Sequence, residues 1–131
     1  MRVVFDTNIY VSALVFPGGQ GERAILRILD GKDELFISRV ILDELLRVLS
    51  HKFSRDREEL ARVAVWISEI AGFVEPGERL SVVKDQADNG ILECGVEAKA
   101  HAVITGDKEL LALGEFREIK MMSLREYLRG N

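Results

Sequence analysis

Arg2-Val3-Val4-Phe5-Asp6-Thr7-Asn8 is a short apolar run that stops on an acid. Val3, Val4 and Phe5 are β-branched or aromatic and consecutive rather than alternating, which is how a strand reads when both of its faces are covered. Such a strand lies inside an open parallel sheet, and its carboxyl end reaches the rim where α/β proteins bind ligands. Asp6 therefore stands on a functional edge, unless it or Asn8 only caps the next helix. The same pattern returns in Ala102-Val103-Ile104-Thr105-Gly106-Asp107, where an apolar run ends on a polar residue and an aspartate. Two independent caps explain this repetition poorly. If the two strands are neighbours at the point where strand order reverses, Asp6 and Asp107 face one another across the crevice.

The intervening chain alternates between helical and extended patterns. Ile9 to Phe16 predicts a short helix stopped by Pro17-Gly18-Gly19, and Glu22 to Leu29 predicts a second with Ala24, Ile25, Ile28 and Leu29 on one face. Glu34 to Ile37 reads as a strand, and Ser38 as the cap of a helix from Arg39 to about His51. Its buried stripe is Ile41, Leu45, Val48 and Leu49. A helix from Arg57 to Ala71 ends at Gly72, and Phe73 to Glu75 reads as a strand closed by Pro76-Gly77. Trp66 on that helix belongs to the core or to a dimer interface. Asp88 immediately precedes a further helix with Ile91, Gly95 and Ala98 on one face, so it also reads as an N-cap. After Leu110 to Leu113 come a strand around Glu118 to Met122 and a helix opened by Ser123, with Glu126 three residues on in capping-box spacing. Strands alternating with helices predict a parallel sheet with right-handed crossovers and helices on both faces.

Composition narrows the chemistry. A chain of 131 residues, 47% hydrophobic, fits one domain over residues 1–131 with a proper core. Cys94 is the sole cysteine, which excludes an internal disulfide framework. With no basic segment leading into a long apolar run, a cytoplasmic location is expected, and no run approaches the ~20 residues of a membrane span. The net charge of −4 excludes binding to nucleic acid through overall basicity, so any such contact is local or mediated by metal. The one basic stretch with an aromatic, His51 to Arg57, reads either as a phosphate contact or as a solvated loop.

Within the helix after Ser38, Asp43 lies four residues from both Arg39 and Arg47, the spacing of a surface ion pair. Glu44 lies at the border of the apolar stripe, where it either turns toward the polar end of the core, within a metal's reach, or extends into solvent. Carboxylates gathered at one rim repel each other unless a cation sits among them. Oxygen ligands select Mg²⁺ or Mn²⁺. No His or Cys cluster has zinc spacing. Such a site suits phosphoryl chemistry, and the metal would supply the positive charge that an acidic protein needs to hold a polyanion.

Taken together, Phe5-Asp6-Thr7-Asn8, Ser38 through Leu49, Asp85-Gln86-Ala87-Asp88-Asn89-Gly90-Ile91-Leu92-Glu93 and Val103-Ile104-Thr105-Gly106-Asp107-Lys108 resemble a PIN domain. The likeness is nearest to the toxin components of prokaryotic toxin-antitoxin pairs and covers nearly the whole chain. It implies a three-layer α/β/α sandwich around a five-stranded parallel sheet, and Mg²⁺- or Mn²⁺-dependent cleavage of RNA. It also implies a small antitoxin partner and a homodimer. The family's acidic quartet falls on Asp6, Glu44, Asp88 and Asp107, with Thr7, Asn8 and Thr105 in support. In the roles this implies, Asp6, Asp88 and Asp107 bind metal and Glu44 orients water. Asp85 competes with Asp88, and Glu93, one turn along the same helix, is a further candidate. Gln86 stands where relatives often carry Pro, and Lys99 near where they carry Gly. Two rival readings remain: a phosphatase or phosphotransferase with Asp6 as nucleophile, and a non-catalytic module whose carboxylates hold an ion or a protein partner. The haloacid dehalogenase pattern needs a second Asp two residues after the first, where this chain has Asn8.

Overall fold

The computed structural model describes residues 1–129. In chain order, β1 (Arg2–Phe5) leads into α1 (Thr7–Val15) and α2 (Gln20–Leu29), and β2 (Glu34–Ile37) into α3 (Arg39–Phe53) and α4 (Arg57–Ile70). After β3 (Ala71–Phe73) a long connection reaches α5 (Gln86–Glu97) and β4 (Ala102–Ile104). The last elements are α6 (Lys108–Leu113), β5 (Glu115–Phe116), β6 (Ile119–Met122) and α7 (Leu124–Arg129). No helix among the described residues is long and apolar enough to cross a membrane.

The strands form one sheet in the order β3-β2-β1-β4-β6-β5. Five are parallel, as expected, but a sixth, β5, pairs antiparallel with β6 at the edge. The sheet is therefore six-stranded and mostly parallel, because the chain doubles back through a turn too short to carry a helix. That turn holds Arg117 and Glu118 at positive φ. β1 lies between β2 and β4, with Phe5 opposite Ile104. The reversal of strand order thus falls between β1 and β4. Val3, Val4 and Phe5 are fully buried, as are Val103 and Ile104, so both faces of these strands are covered. α5 packs across β1, β2 and β4. Tyr127 of α7 meets Phe5 edge-on, with ring centroids 5.9 Å apart.

Three local expectations shift. The third strand is Ala71–Phe73 rather than Phe73 to Glu75, since α4 runs straight into it without a separating turn. Gly72 lies inside that strand, where a Cβ would stand 3.0 Å from the Phe36 ring. Asp85, not Asp88, caps α5, accepting from the amides of Ala87 and Asp88. The Ser123–Glu126 capping box forms as expected, with both reciprocal bonds present at 3.0 and 3.1 Å.

Lys99, in the tight turn from α5 to β4, has φ 52°. The left-handed region costs a residue with a Cβ about 1–2 kcal/mol, against about 0.5–1 kcal/mol of extra chain entropy lost by glycine. Lys99→Gly is expected to stabilise the protein by about 0.5–1 kcal/mol, measured by urea unfolding.

Asp33, whose side chain is 4% exposed, anchors the far end of the sheet. It accepts from the Tyr127 hydroxyl at 2.6 Å, from Arg27 Nε at 3.0 Å and from the Met1 ammonium at 3.0 Å. Burial alone would raise its pKa, but the bonds from Tyr127, Met1 and Arg27 outweigh it and hold the carboxyl below its usual range. A depressed carboxylate stabilises the fold above its unfolded pKa of about 4, and that contribution is lost as pH falls through the lower folded value. Asp33→Asn is expected to cost about 1–3 kcal/mol at neutral pH, a gap that narrows in urea unfolding below about pH 3.

Candidate active site

The β1–β4 pairing sets two polar residues side by side just past the strand ends. The Asp6 amide donates to the Ile104 carbonyl at 2.9 Å, extending the ladder by one bond. Thr105 Oγ1 then donates to Asp6 Oδ2 at 2.6 Å. Thr105 is fully buried, and its hydroxyl accepts from the Asp107 amide at 3.0 Å. With that lone pair engaged, the hydroxyl proton is aimed at Asp6. One threonine therefore ties the two strand-ending acids together.

Capping and clustering prove compatible. Asp6 caps α1 through a weak bond from the Asn8 amide (3.4 Å), and Asp107 caps α6 by accepting from the Leu110 amide at 2.9 Å. A carboxylate has two oxygens and room for several donors. Asp6 and Asp88 are buried, Asp107 and Glu44 are half-buried, and Asp85 is exposed. All five line one cavity of about 520 Å³, together with Thr7 and Asn8.

Their electrostatics register the crowding. Burial pushes the Asp6 carboxyl up, partly offset by Thr105 and Asn8, while the nearby Asp107 charge pushes it further. Asp88 is raised to about 7 by burial, then by the charges of Asp107, Asp85 and Asp6. Because Asp85 takes the cap, Asp88 sits in the first turn of α5 and is left to join the other acids.

Among the described residues, no three acids converge into a closed cage for an ion. Mg²⁺ keeps several waters and takes one or two protein carboxylates, so a cleft of paired, mutually repelling acids fits it better than a cage would. The donor set is all oxygen, and Cys94 stays apart, fully buried with its thiol pushed up to about 12 by burial.

Two expected neighbours behave differently. Glu93 does not line the cavity; it accepts from the Leu80 amide at 2.8 Å and pins the connection between β3 and α5. Arg39 pairs with Asp43 as expected (3.2 Å), but Arg47 pairs with Glu44, Nη1 to Oε2 at 2.9 Å. Sequence reasoning also passes over Asn89. It is 2% exposed, accepts from the Val82 and Val83 amides (3.0 Å each) and donates to Val83 O and Gln86 Oε1 (2.9 Å each). An asparagine one residue after Asp88 on an apolar helix face was the available signal.

A cavity of about 560 Å³ opens at the opposite edge of the sheet, beside Arg2, Asp33 and His101. Its buried acid, Asp33, is already held by Arg27 and Tyr127.

A family profile described as PIN domain matches residues 2–109, which include all four acids of the cleft quartet. The chain belongs to the PIN-domain family. The uncharacterized protein MJ1680 of Methanocaldococcus jannaschii is 30% identical over 117 residues, spanning 86% of this chain and 75% of that protein. Among solved structures, this PIN domain is similar to VapBC2 from Rickettsia felis, determined with a DNA fragment from their promoter. The TM-score is 0.69 at 14% identity, covering 94% of this chain and 98% of the other. It is also similar to VapBC-1 from nontypeable Haemophilus influenzae, with a TM-score of 0.68 at 17% identity over 95% and 99% of the two chains. These likenesses extend over nearly the whole of each chain and show a shared fold.

Proposed function

We propose that this PIN domain is a divalent-metal-dependent ribonuclease that hydrolyses RNA phosphodiester bonds, acting as the toxin of a toxin-antitoxin pair. The observation that carries this reading is the Asp6–Thr105–Asp107 linkage, with Asp88 raised to about 7 beside it. Carboxylates crowded in one cleft are relieved either by taking up a proton, as Asp88 does at about pH 7, or by a cation among them, and an all-oxygen donor set suits the second.

In the role assigned here, Asp6 and Asp88 hold Mg²⁺ or Mn²⁺ directly or through water, and Asp107 completes that site or a second one. When bound, such an ion lowers the pKa of water and neutralises charge on the phosphate. Thr105 orients Asp6 and favours its charged form by donating to Oδ2, and Glu44 orients the attacking water. Thr7 and Asn8 supply polar groups at the mouth. A phosphotransferase with Asp6 as nucleophile is less well supported, because the haloacid dehalogenase pattern needs a second Asp two residues on, where this chain has Asn8.

A small antitoxin partner is supported by the two VapBC neighbours. A homodimer and a cytoplasmic location belong to the same reading. The decisive assay is cleavage of single-stranded RNA by the full chain. Activity is expected with Mn²⁺ or Mg²⁺, is lost in EDTA and returns when metal is restored. Cleavage unaffected by EDTA, or none with either ion, would overturn the proposal.

A further inference from the structure

The cleft does not end at the acids. Along α3 it is lined by Val40, Glu44, Arg47, Val48 and Lys52, one turn or so apart, so this wall changes from acidic to basic along the helix. Arg47 stands about 4.5 Å along the axis from Glu44, and Lys52 about 12 Å. Arg47 is 59% exposed even while paired with Glu44. Lys52 is exposed and enters no ion pair among the described residues. An exposed pair three residues apart on a helix is worth only a few tenths of a kcal/mol, so Arg47 can exchange Glu44 for another anion at little cost.

Two features of the cavity define what that anion belongs to. At about 520 Å³ it is the size of a single-ligand pocket and has room for a short extended segment of a strand. None of its lining residues is aromatic, so it offers no platform on which bases stack. Exposed cations beside such a cleft meet the phosphate oxygens of a strand, and phosphate contacts carry no sequence information.

We propose that Arg47 and Lys52 form a phosphate track that holds one strand of RNA on one side of the scissile bond, with little base preference. This rests on the ribonuclease reading and assigns the substrate's path through the same cleft. Arg47 has two alternating partners: Glu44 in the free protein and a backbone phosphate in the complex. Entry of the strand thereby frees the Glu44 carboxylate to meet water only when substrate is present. Arg47 is thus a positioning residue, and Lys52 a binding one.

The test is binding of short, labelled single-stranded RNA to the full chain, with Ca²⁺ as the divalent ion, followed across a range of salt concentration. Arg47→Gln, Lys52→Gln and the double variant are compared with the parent, and Arg23→Gln on α2, outside the cleft, serves as control. Each phosphate contact to a single strand contributes a slope of about 0.7 in log affinity against log salt. The double variant is expected to lose about 1.4 from the slope and about tenfold in affinity at physiological salt, equally for all homopolymers. In Mn²⁺-supported cleavage, Lys52→Gln is expected to raise KM and leave kcat unchanged, whereas a merely structural lysine would move neither. If the parent binds RNA and the double variant matches it in affinity and slope, the track is overturned while the nuclease stands. A loss confined to one base type, or duplex bound as tightly as single strand, also overturns it. A parent that neither binds nor cleaves RNA with any divalent ion removes the ribonuclease reading itself.

Discussion

Replacing Asp88 by Asn is expected to abolish metal-dependent RNA cleavage and, at the same time, to raise the melting temperature of the metal-free protein. The two effects share one cause. Asp88 is buried close to Asp107, Asp85 and Asp6, which with burial lift it to about 7. In the unfolded chain the same carboxyl titrates near 3.9. Above about pH 7 the folded protein carries the whole penalty of the extra charge. As pH falls from there toward 4, the folded state takes up a proton that the unfolded state does not, so stability rises. Asparagine keeps the shape without the charge, and the variant's stability should vary less over that window, the remaining slope coming from Asp6, which is also pushed up. Mn²⁺ should stabilise the parent by binding only the folded state, and should stabilise the variant much less. The catalytic loss should be at least about 100-fold, since even groups that only orient a metal's ligands are worth about 10–100-fold. Thermal melts in EDTA and in Mn²⁺, at pH values on both sides of 7, check the stability arm. A variant less stable than the parent in EDTA would mean that Asp88 is held by contacts rather than strained by its neighbours.

Much of this cleft can be read in the primary structure because the strands beneath it are continuous apolar runs. Val3 to Phe5 and Ala102 to Ile104 lie inside the sheet with both faces covered, and a buried strand can end only at an edge. Asp6 and Asp107 follow directly from that. Asp88 is less legible, since Asp85-Gln86-Ala87-Asp88-Asn89 offers three residues able to cap one helix. Which one does so depends on how the preceding connection is tethered, and its tethers lie far away in sequence. Leu80 is held by Glu93, Gly77 by Glu97, Lys84 by Glu109, and Glu78 by a two-pronged bond from Arg117. Acids that read as surface charges are in fact the buttons of this loop. The antiparallel β5 escapes notice for a simpler reason, as Glu115-Phe116 is too short to carry any periodicity. Gly72 misleads in the other direction. It looks like a helix stop, but it serves as the gap in β3 that the Phe36 ring fills.

Asn89→Ala is expected to destabilise the fold strongly through a tether of this same connection. Its side chain replaces a turn that the backbone cannot make for itself. Val82 and Val83 N–H and Val83 C=O all meet Asn89, and none of the three pairs within a strand or helix. Alanine would leave these groups without their protein partner; Asn89 is 2% exposed, but Val83 is half-buried and Val82 exposed, so water reaches part of what is freed. Buried backbone groups left unpaired cost about 1–3 kcal/mol each before relaxation, and a loop of this kind recovers part of that by opening to water. A net destabilisation of about 3 kcal/mol is expected in urea unfolding. The larger consequence lies one residue upstream. Gln86, held by the Asn89 amide, and Asp85, the cap, fix the first turn of α5 and with it the direction of the Asp88 carboxylate. Once the connection loosens, that turn frays and the acid is no longer confined beside Asp107. The Asp88 pKa should then fall from about 7 toward its unfolded value, and Mn²⁺ affinity, followed by calorimetry, should weaken about 10–100-fold. Asn89→Asp separates the two effects. It still accepts from Val82 and Val83 N–H but cannot donate to Val83 C=O or Gln86, and it adds a negative charge behind the cluster. Intermediate stability with a further rise of the Asp88 pKa is the expected outcome. If Asn89→Ala destabilises the protein yet leaves Mn²⁺ affinity untouched, the loop is a structural strap alone and the orientation of Asp88 is set from within α5.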